Sequence, residues 1–78
     1  MKAPVQLGKY IVADPSICHG KPTFKGSRVM MWQVMEALAD GETYDEIMAA
    51  WPGCVSREAI SEAIRLSGEA FLSHAVAA

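Results

Sequence analysis

The sequence predicts a mostly α fold, in which a three-helix bundle with a helix-turn-helix outline follows a short N-terminal β segment or hairpin. After residue 30, apolar residues recur at helical spacing in three stretches, each bounded by capping or helix-breaking residues. Before residue 30, short β-prone runs alternate with the turn signals Asp14-Pro15 and Gly20-Lys21-Pro22. We therefore expect a single compact domain, with a β arm or hairpin over residues 1–30 and a helical unit over residues 31–78.

The β arm is predicted from two features of the sequence. The run Tyr10-Ile11-Val12 is β-prone, and a turn signal follows it. Thr23-Phe24 and Arg28-Val29-Met30 flank Lys25-Gly26-Ser27, a pattern typical of a tight hairpin with a positive φ at its glycine. Two short strands alone are barely stable in water. We therefore expect the hairpin to lie against the helices or against a second copy, with residues 10–12 as a third strand or a swapped edge.

The first two helices are bounded by clear signals. The first is predicted to begin near Met31 and to end at Asp40-Gly41, where glycine suits the left-handed C′ position. In the second, Thr43 is the predicted N-cap, Glu46 completes a capping box, and Pro52-Gly53 ends the helix. Both helices carry an apolar stripe at i, i+3, i+4 and i+7: Met31, Val34, Met35 and Leu38 in the first, and Tyr44, Ile47, Met48 and Trp51 in the second.

The third helix is predicted to begin after Ser56, a natural N-cap, and to run through Gly68 to about Leu72. We expect the tail after Ser73 to fray. The predicted core face of this helix holds Ile60, Ala63, Ile64, Ser67 and Phe71. Two capped helices across a short glycine-containing turn match the outline of a helix-turn-helix.

Length and composition limit the class of protein. A chain of 78 residues forms one domain and buries only about 60% of its unfolded surface, so its own core is marginal. Self-association is therefore the expected extra source of stability. Cys18 and Cys54 match no disulfide framework and no zinc pattern. The sequence has no secretory signal and no run of ~20 apolar residues, so we expect a cytoplasmic protein.

Charge is divided unevenly along the chain, although the formal net charge is only -2. Residues 1–28 carry five cations and one anion, whereas residues 29–78 carry two cations and eight anions. This asymmetry predicts a basic arm on an acidic body. The alternative is that ordinary surface charge has this uneven distribution by chance.

Two sets of residues are candidates for contact with DNA. In a helix-turn-helix, the N-terminal residues of the later helix reach the base edges. A basic hairpin is also able to follow a duplex edge and to bind its phosphates. The candidates are Ser56, Arg57, Ser61 and Arg65 in the third helix, and Lys21, Lys25 and Arg28 in the arm.

Each set also has a purely structural interpretation. Glu62, Arg65 and Glu69 are spaced to form ion pairs along a solvated helix face. Lysines in the arm are typical of residues that keep an edge strand soluble. Arg28 is placed either to cap the C-terminal end of a helix or to pair with one of the acidic residues.

The residues do not predict an enzyme. Cys18 and His19 are adjacent, and neighbours on an extended segment point to opposite sides, whereas a Cys–His nucleophile pair needs hydrogen-bond reach. No third orienting group is evident, and His74 falls in the predicted frayed tail. With Cys54 as the remaining candidate ligand, we expect no catalytic residue, no metal site and no cofactor.

Two blocks of the chain resemble one family of small prokaryotic proteins. The first is Ile11-x-x-Asp14-Pro15-x-Ile17-Cys18-x-Gly20-Lys21-Pro22-x-Phe24-Lys25-Gly26-Ser27-Arg28-Val29, with matching motif positions at Gly20, Lys21, Pro22, Gly26 and Arg28. The second is Leu38-Ala39-x-Gly41-x-Thr43-Tyr44-x-Glu46-Ile47, followed by Trp51-Pro52 and Ser56-Arg57-Glu58-Ala59-Ile60. Over roughly residues 10–72 the chain is similar to the family known as domain of unknown function 433, whose members include VapB-type antitoxins.

The resemblance implies a homeodomain-like three-helix fold with an N-terminal β segment, and it carries over no catalytic residues. It also implies an antitoxin-like role beside a PIN-type ribonuclease toxin, in which a dimer binds the toxin and represses its own operon. We therefore hold two hypotheses. One is a dimeric antitoxin that binds operator DNA through its basic arm and third helix and binds a basic nuclease toxin through its apolar edge and acidic surface. The other is a protein-interaction module that binds no DNA.

Overall fold

The computed structural model describes the backbone of residues 3–77 and the side chains of residues 3–73. Three short strands precede three α-helices along this part of the chain. The strands are β1 (Val5–Gln6), β2 (Ile11–Ala13) and β3 (Pro22–Phe24), and the helices are α1 (Met31–Ala39), α2 (Tyr44–Ala50) and α3 (Arg57–Ala77). A short 3₁₀ segment, Cys18–Gly20, separates β2 from β3. The mostly α fold with an N-terminal β segment is therefore confirmed at this level.

The strands form one antiparallel sheet in the order β1-β2-β3. Ile11 pairs with Phe24, and Val5 pairs with Ala13, so β2 is the central strand. The predicted third strand over residues 10–12 is thus confirmed, in the middle of the sheet. Of the hairpin predicted after it, the turn is confirmed, because Gly26 has a φ of 79°.

The prediction of a return strand over Arg28-Val29-Met30 is wrong. Met30 pairs with Thr23 only through an isolated bridge, and Phe24 N–H donates to the Val29 carbonyl at 2.9 Å. The Ser27 hydroxyl makes hydrogen bonds that would otherwise belong to a strand pair. It donates to the Phe24 carbonyl at 2.8 Å and accepts from Val29 N–H at 3.1 Å. The chain then enters α1 directly after Met30, which leaves no residues for a longer strand.

The helix starts follow the local signals in the sequence. Thr43 and Glu46 form the predicted capping box, with Thr43 N–H donating to the Glu46 carboxylate at 2.8 Å and Glu46 N–H donating to the Thr43 hydroxyl at 3.1 Å. Ser56 caps α3, because its hydroxyl accepts from Ala59 N–H at 3.1 Å. The expected end of α3 near Leu72 is wrong, since the helical backbone continues to Ala77. Alanine-rich sequence after Gly68 favours this continuation.

One core joins the arm to the helices. Its buried apolar members are Ile11, Phe24, Val29, Val34, Ala37, Ile47, Val55, Ala59, Ile60 and Ala63. In this arrangement β2 contacts α3 and β3 contacts α1, while the three helices contact one another. None of the described helices combines the length and the apolar content that a membrane span requires.

The buried face of α3 differs from the predicted one. Ile60 and Ala63 are buried as expected, but Ile64 is 39% exposed and Phe71 is 73% exposed. Ala59 is buried instead. The physical reason is that β2 packs against α3, and small side chains such as alanine permit that close approach, whereas the large apolar side chains of the predicted stripe do not.

Candidate nucleic-acid interface

Two adjoining grooves at the start of α3 bring together most of the predicted DNA-contacting residues. The arm groove lies between the turn after β3 and the N-terminus of α3, and the helix groove follows the first turns of α3. The arm groove is lined by Lys9, Tyr10, Phe24, Lys25, residues 53–56 and Ala59. The helix groove is lined by Lys9, Tyr10, Arg57, Glu58, Ser61, Glu62 and Arg65. Because Lys9 and Tyr10 line both, the grooves form one continuous surface.

Backbone contacts hold Lys25 at the arm groove. Its N–H donates to the Tyr10 carbonyl at 2.8 Å, which ties the turn after β3 to the residue that precedes β2. Gly26 comes next, in the left-handed conformation that this turn requires. The Lys25 side chain is exposed, so its ammonium group is available at the rim of the groove.

Neither Lys21 nor Arg28 is among the residues that line the two grooves. Lys21 precedes β3 and Lys25 follows it, so the two lysines stand at opposite ends of the strand, about 13 Å apart along an extended backbone. The Arg28 side chain is exposed, and its carbonyl accepts a hydrogen bond from Cys18 Sγ at 3.6 Å. The predicted basic arm is therefore divided in space, and Lys25 is the candidate that meets α3.

Arg57 joins the starts of α2 and α3. Its Nη2 donates to Asp45 Oδ1 at 2.7 Å, and its guanidinium carbon lies 5.4 Å from the centroid of the Tyr44 ring. The two ion-paired side chains are 55% and 82% exposed, so solvent screening limits the pair to at most about 1 kcal/mol. The Asp45 carboxylate therefore orients the guanidinium group without removing it from solvent.

Glu62 is a buried carboxylate that fastens the turn between β1 and β2 to α3. Only 5% of the residue is exposed. Its two oxygens accept hydrogen bonds from Tyr10 N–H at 2.7 Å and from Lys9 N–H at 2.9 Å. The alternative interpretation, which placed Glu62 on a solvated helix face, is wrong for this residue, although the pairing with Arg65 that it expected is present, at 3.6 Å. We call this set of contacts the Glu62 clasp.

The pKa of Glu62 is set by opposing influences. Burial is the largest single influence and acts to raise the pKa. Hydrogen bonds from the Tyr10 and Lys9 amides, together with the positive charge of Arg65, lower it and outweigh the burial. The net pKa of Glu62 is therefore below its ordinary value, and the carboxylate is ionised at neutral pH.

Gly8 completes the clasp because a larger residue does not fit there. A Cβ atom at position 8 would lie 2.5 Å from Glu62 Oε1 and 2.6 Å from its carboxyl carbon. The carboxylate is held in place by the two amides, so it is not free to move aside. The clasp in turn positions Lys9, whose Nζ lies 5.4 Å from the centroid of the Tyr10 ring, beside both grooves.

Sequence reasoning missed Gly8, Lys9, Tyr10 and the structural role of Glu62. One signal was present in the helix, because Ala59, Glu62, Ala63 and Leu66 follow the i, i+3, i+4, i+7 spacing of a buried stripe. A buried carboxylate at such a position needs hydrogen-bond donors from elsewhere in the fold. The donors are backbone amides more than fifty residues from Glu62 in the sequence, and no sequence pattern predicts this contact.

Cys18 and His19 are not on an extended segment, so that part of the prediction is wrong. Both have positive φ, 50° and 58°, and Gly20 follows with 82°. Three consecutive left-handed residues make a tight turn between β2 and β3, and only the glycine adopts this conformation without strain. Neither Cys18 nor Cys54 is in a disulfide. The side chain of His74 lies outside the described residues.

These features define a class of protein, a small domain in which a three-stranded sheet packs on three helices and exposed cations surround the start of the last helix. A family described as "Protein of unknown function (DUF433)" matches residues 11–66. The chain therefore belongs to the DUF433 family, which confirms the family expected from the two sequence blocks. No curated protein and no solved structure matches the chain.

Proposed function

We propose that the protein is the antitoxin-like component of a type II toxin–antitoxin system. In this proposal a cytoplasmic homodimer binds a PIN-type ribonuclease toxin and its own operator DNA. The observation that carries the DNA part is the cluster of four cations around the two grooves: Lys9, Lys25, Arg57 and Arg65. Cations spaced along one surface neutralise successive phosphates of a duplex and release counterions, which is the main source of affinity for DNA.

The arrangement of α2 and α3 suits a homeodomain-like helix-turn-helix, with α3 as the recognition helix. The first turns of α3 expose Arg57, Ser61 and Arg65 at i, i+4 and i+8. Arginine binds guanine in the major groove or binds phosphate. In this proposal the helix side chains reach base edges, while Lys9 and Lys25 hold the adjacent phosphates.

An acidic surface supports the toxin part of the proposal. Apart from Asp45, which pairs with Arg57, four carboxylate side chains are exposed between the middle of α1 and the first turn of α2: Glu36, Asp40, Glu42 and Glu46. A ribonuclease has to present cations to its RNA substrate. A surface of the opposite charge is therefore suited to bind a nuclease and to block its RNA-binding side.

Binding to DNA from immediately upstream of the gene, measured by fluorescence anisotropy at low salt, tests the DNA part. We expect Lys25→Glu to weaken binding at least about tenfold, because it replaces attraction to a phosphate by repulsion. Lys21→Glu is the matched control, since it makes the same charge change in the same arm but outside the grooves. Absence of binding by the unaltered protein, or equal losses in the two variants, contradicts the proposal.

A protein-interaction module without DNA binding is the second candidate. The observation in its favour is that both helix arginines already have internal partners, Arg57 with Asp45 and Arg65 with Glu62. Copurification with the product of a neighbouring PIN-type nuclease gene is compatible with both candidates, so binding of the unaltered protein to the upstream DNA at low salt distinguishes them. The module alone predicts that Lys25→Glu leaves copurification unchanged while the unaltered protein binds no DNA at low salt.

A further inference from the structure

Arg57 is held on two sides by residues of α2. Its Nη2 donates to Asp45 Oδ1 at 2.7 Å, and its guanidinium carbon lies 5.4 Å from the centroid of the Tyr44 ring. Tyr44 and Asp45 are the first two residues of α2, and Arg57 is the first residue of α3, so these contacts join the N-terminal ends of the two helices. The guanidinium group therefore has a preferred orientation before any partner binds.

Arg65, the other arginine of the helix groove, lacks a comparable support. Its ion pair within the described part of the chain is with Glu62, at 3.6 Å. The two carboxylate oxygens of Glu62 already accept backbone amides at 2.7 and 2.9 Å. Among residues 3–73, no aromatic ring lies against the Arg65 guanidinium group. The two arginines therefore differ, since Arg57 is oriented by two close contacts and Arg65 by one longer contact.

The contact with Asp45 leaves most donors of Arg57 available. A guanidinium group has five N–H donors, and the carboxylate uses one of them. The Arg57 side chain makes no other hydrogen bond to the residues that the structure describes. A bidentate contact to O6 and N7 of guanine needs two N–H groups in a fixed plane. Attraction to the charge of a phosphate requires no particular orientation, so holding the guanidinium group favours the guanine contact.

The charge of Asp45 acts in the same direction as its hydrogen bond. Its side chain is 82% exposed, so the carboxylate faces any group that approaches Arg57 from solvent. A phosphate in that position is repelled by the carboxylate, whereas the acceptors of a guanine edge carry no full negative charge. Repulsion of a competing contact is a general source of specificity. The ion pair therefore disfavours a phosphate contact more than a guanine contact.

We propose that Asp45 is a positioning residue that directs Arg57 to a guanine edge in the major groove instead of to a phosphate. This inference rests on the proposed binding of DNA at the start of α3. It adds which side chain reads the sequence and which residue of α2 makes that contact selective. Asp45 then lowers the affinity for DNA of any sequence while it raises the preference for the operator.

Fluorescence anisotropy at low salt with two duplexes tests the proposal. One duplex is the DNA immediately upstream of the gene, and the other is a scrambled duplex of the same length and base composition. We expect the unaltered full chain to prefer the upstream DNA at least about tenfold. Asp45→Ala should reduce this preference at least about fivefold, mainly by binding the scrambled duplex more tightly.

Glu58→Ala is the matched control for the loss of charge. Asp45 and Glu58 are each the second residue of a helix and both are exposed, but Glu58 has no ion pair in the part of the chain that the structure describes. Glu58→Ala should therefore strengthen binding to both duplexes by the same factor. In an Arg57→Ala background, Asp45→Ala should no longer change the preference, because no guanidinium group is left to position.

The possible outcomes separate this inference from the proposed function. All three substituted positions are exposed, so circular dichroism should show the unaltered fold in each variant. An equal loss of preference in Asp45→Ala and Glu58→Ala, or a loss that persists without Arg57, overturns the inference. Equal binding of both duplexes by the unaltered protein also overturns it, but leaves binding to phosphates intact. Absence of binding to either duplex overturns the proposed DNA binding together with the inference.

Discussion

At the residue scale, the geometry of the grooves depends on Glu62. Its carboxylate is the link between α3 and the turn that carries Lys9, and Gly8 provides the space that the carboxylate occupies. A charged group is rarely buried without compensation, and here the compensation consists of two amides and a neighbouring guanidinium group. Glu62 therefore acts as a positioning residue for the cationic surface, although its own charge is negative.

A double-mutant cycle between Gly8 and Glu62 tests the clasp. Glu62→Ala should lower the free energy of unfolding by about 1–3 kcal/mol, because it leaves two partly buried amides without their acceptor. Gly8→Ala should cost about 1–3 kcal/mol by forcing the carboxylate to move. In the Glu62→Ala background, Gly8→Ala should cost less than about 0.5 kcal/mol, since the clashing atoms are gone. Urea unfolding measures all four proteins, and simple additivity of the two costs contradicts the clasp.

The lowered pKa of Glu62 predicts a dependence of stability on pH. The ionised carboxylate stabilises the folded state at pH values above its ordinary pKa of about 4.5, and this contribution is lost as the pH falls through the lower pKa of the folded state. Between about pH 7 and pH 3, the unaltered protein should therefore lose more stability than Glu62→Gln.

The comparison with the Gln variant is needed because a second carboxyl behaves similarly. Hydrogen bonds from the hydroxyl and the amide of Ser16 lower the pKa of Asp14. Asp14 therefore adds acid sensitivity to both proteins, and the difference between them isolates Glu62. Thermal melts at a series of pH values provide the measurement. Equal decreases in melting temperature for the unaltered protein and the Gln variant would contradict this explanation.

At the scale of the elements, local signals were sufficient to predict the helix starts. The caps at Thr43 and Ser56 use atoms within three residues of one another, so the sequence contains the whole interaction. The pairing of β3 with β2 and the contact of Glu62 with Lys9 and Tyr10 join distant segments. The face of α3 was predicted from its large apolar residues, but tertiary contacts selected the alanine side instead.

Paired truncations in α2 and α3 test this assignment of the core. Ile47 is fully buried and Ile64 is 39% exposed. We expect Ile47→Ala to cost about 2–5 kcal/mol, and Ile64→Ala to change the free energy of unfolding by less than about 1 kcal/mol. Urea unfolding of the unaltered protein and the two variants, all at the same protein concentration, provides the measurement. A loss at Ile64 as large as the loss at Ile47 contradicts the observed face of α3.

At the scale of the whole molecule, folding brings charge from both ends of the chain to one surface. The arm and the helices share a core, in which Ile11 and Phe24 from the sheet join Ile47 and Ile60 from the helices. This common core fixes the positions of the cations of the arm groove relative to those of the helix groove. The sequence predicted a basic arm on an acidic body. Which lysine of the arm lies beside α3 depends on the sheet register, and the register places Lys25 at the arm groove and leaves Lys21 outside it.

The salt dependence of DNA binding tests the central claim, that the cations around the two grooves contact phosphates. The slope of log K against log salt reports the number of phosphates that the protein neutralises. We expect Lys25→Ala to reduce that slope by about 1, and Lys21→Ala to leave it unchanged. A slope near zero for the unaltered protein, or the same reduction in both variants, would contradict the account.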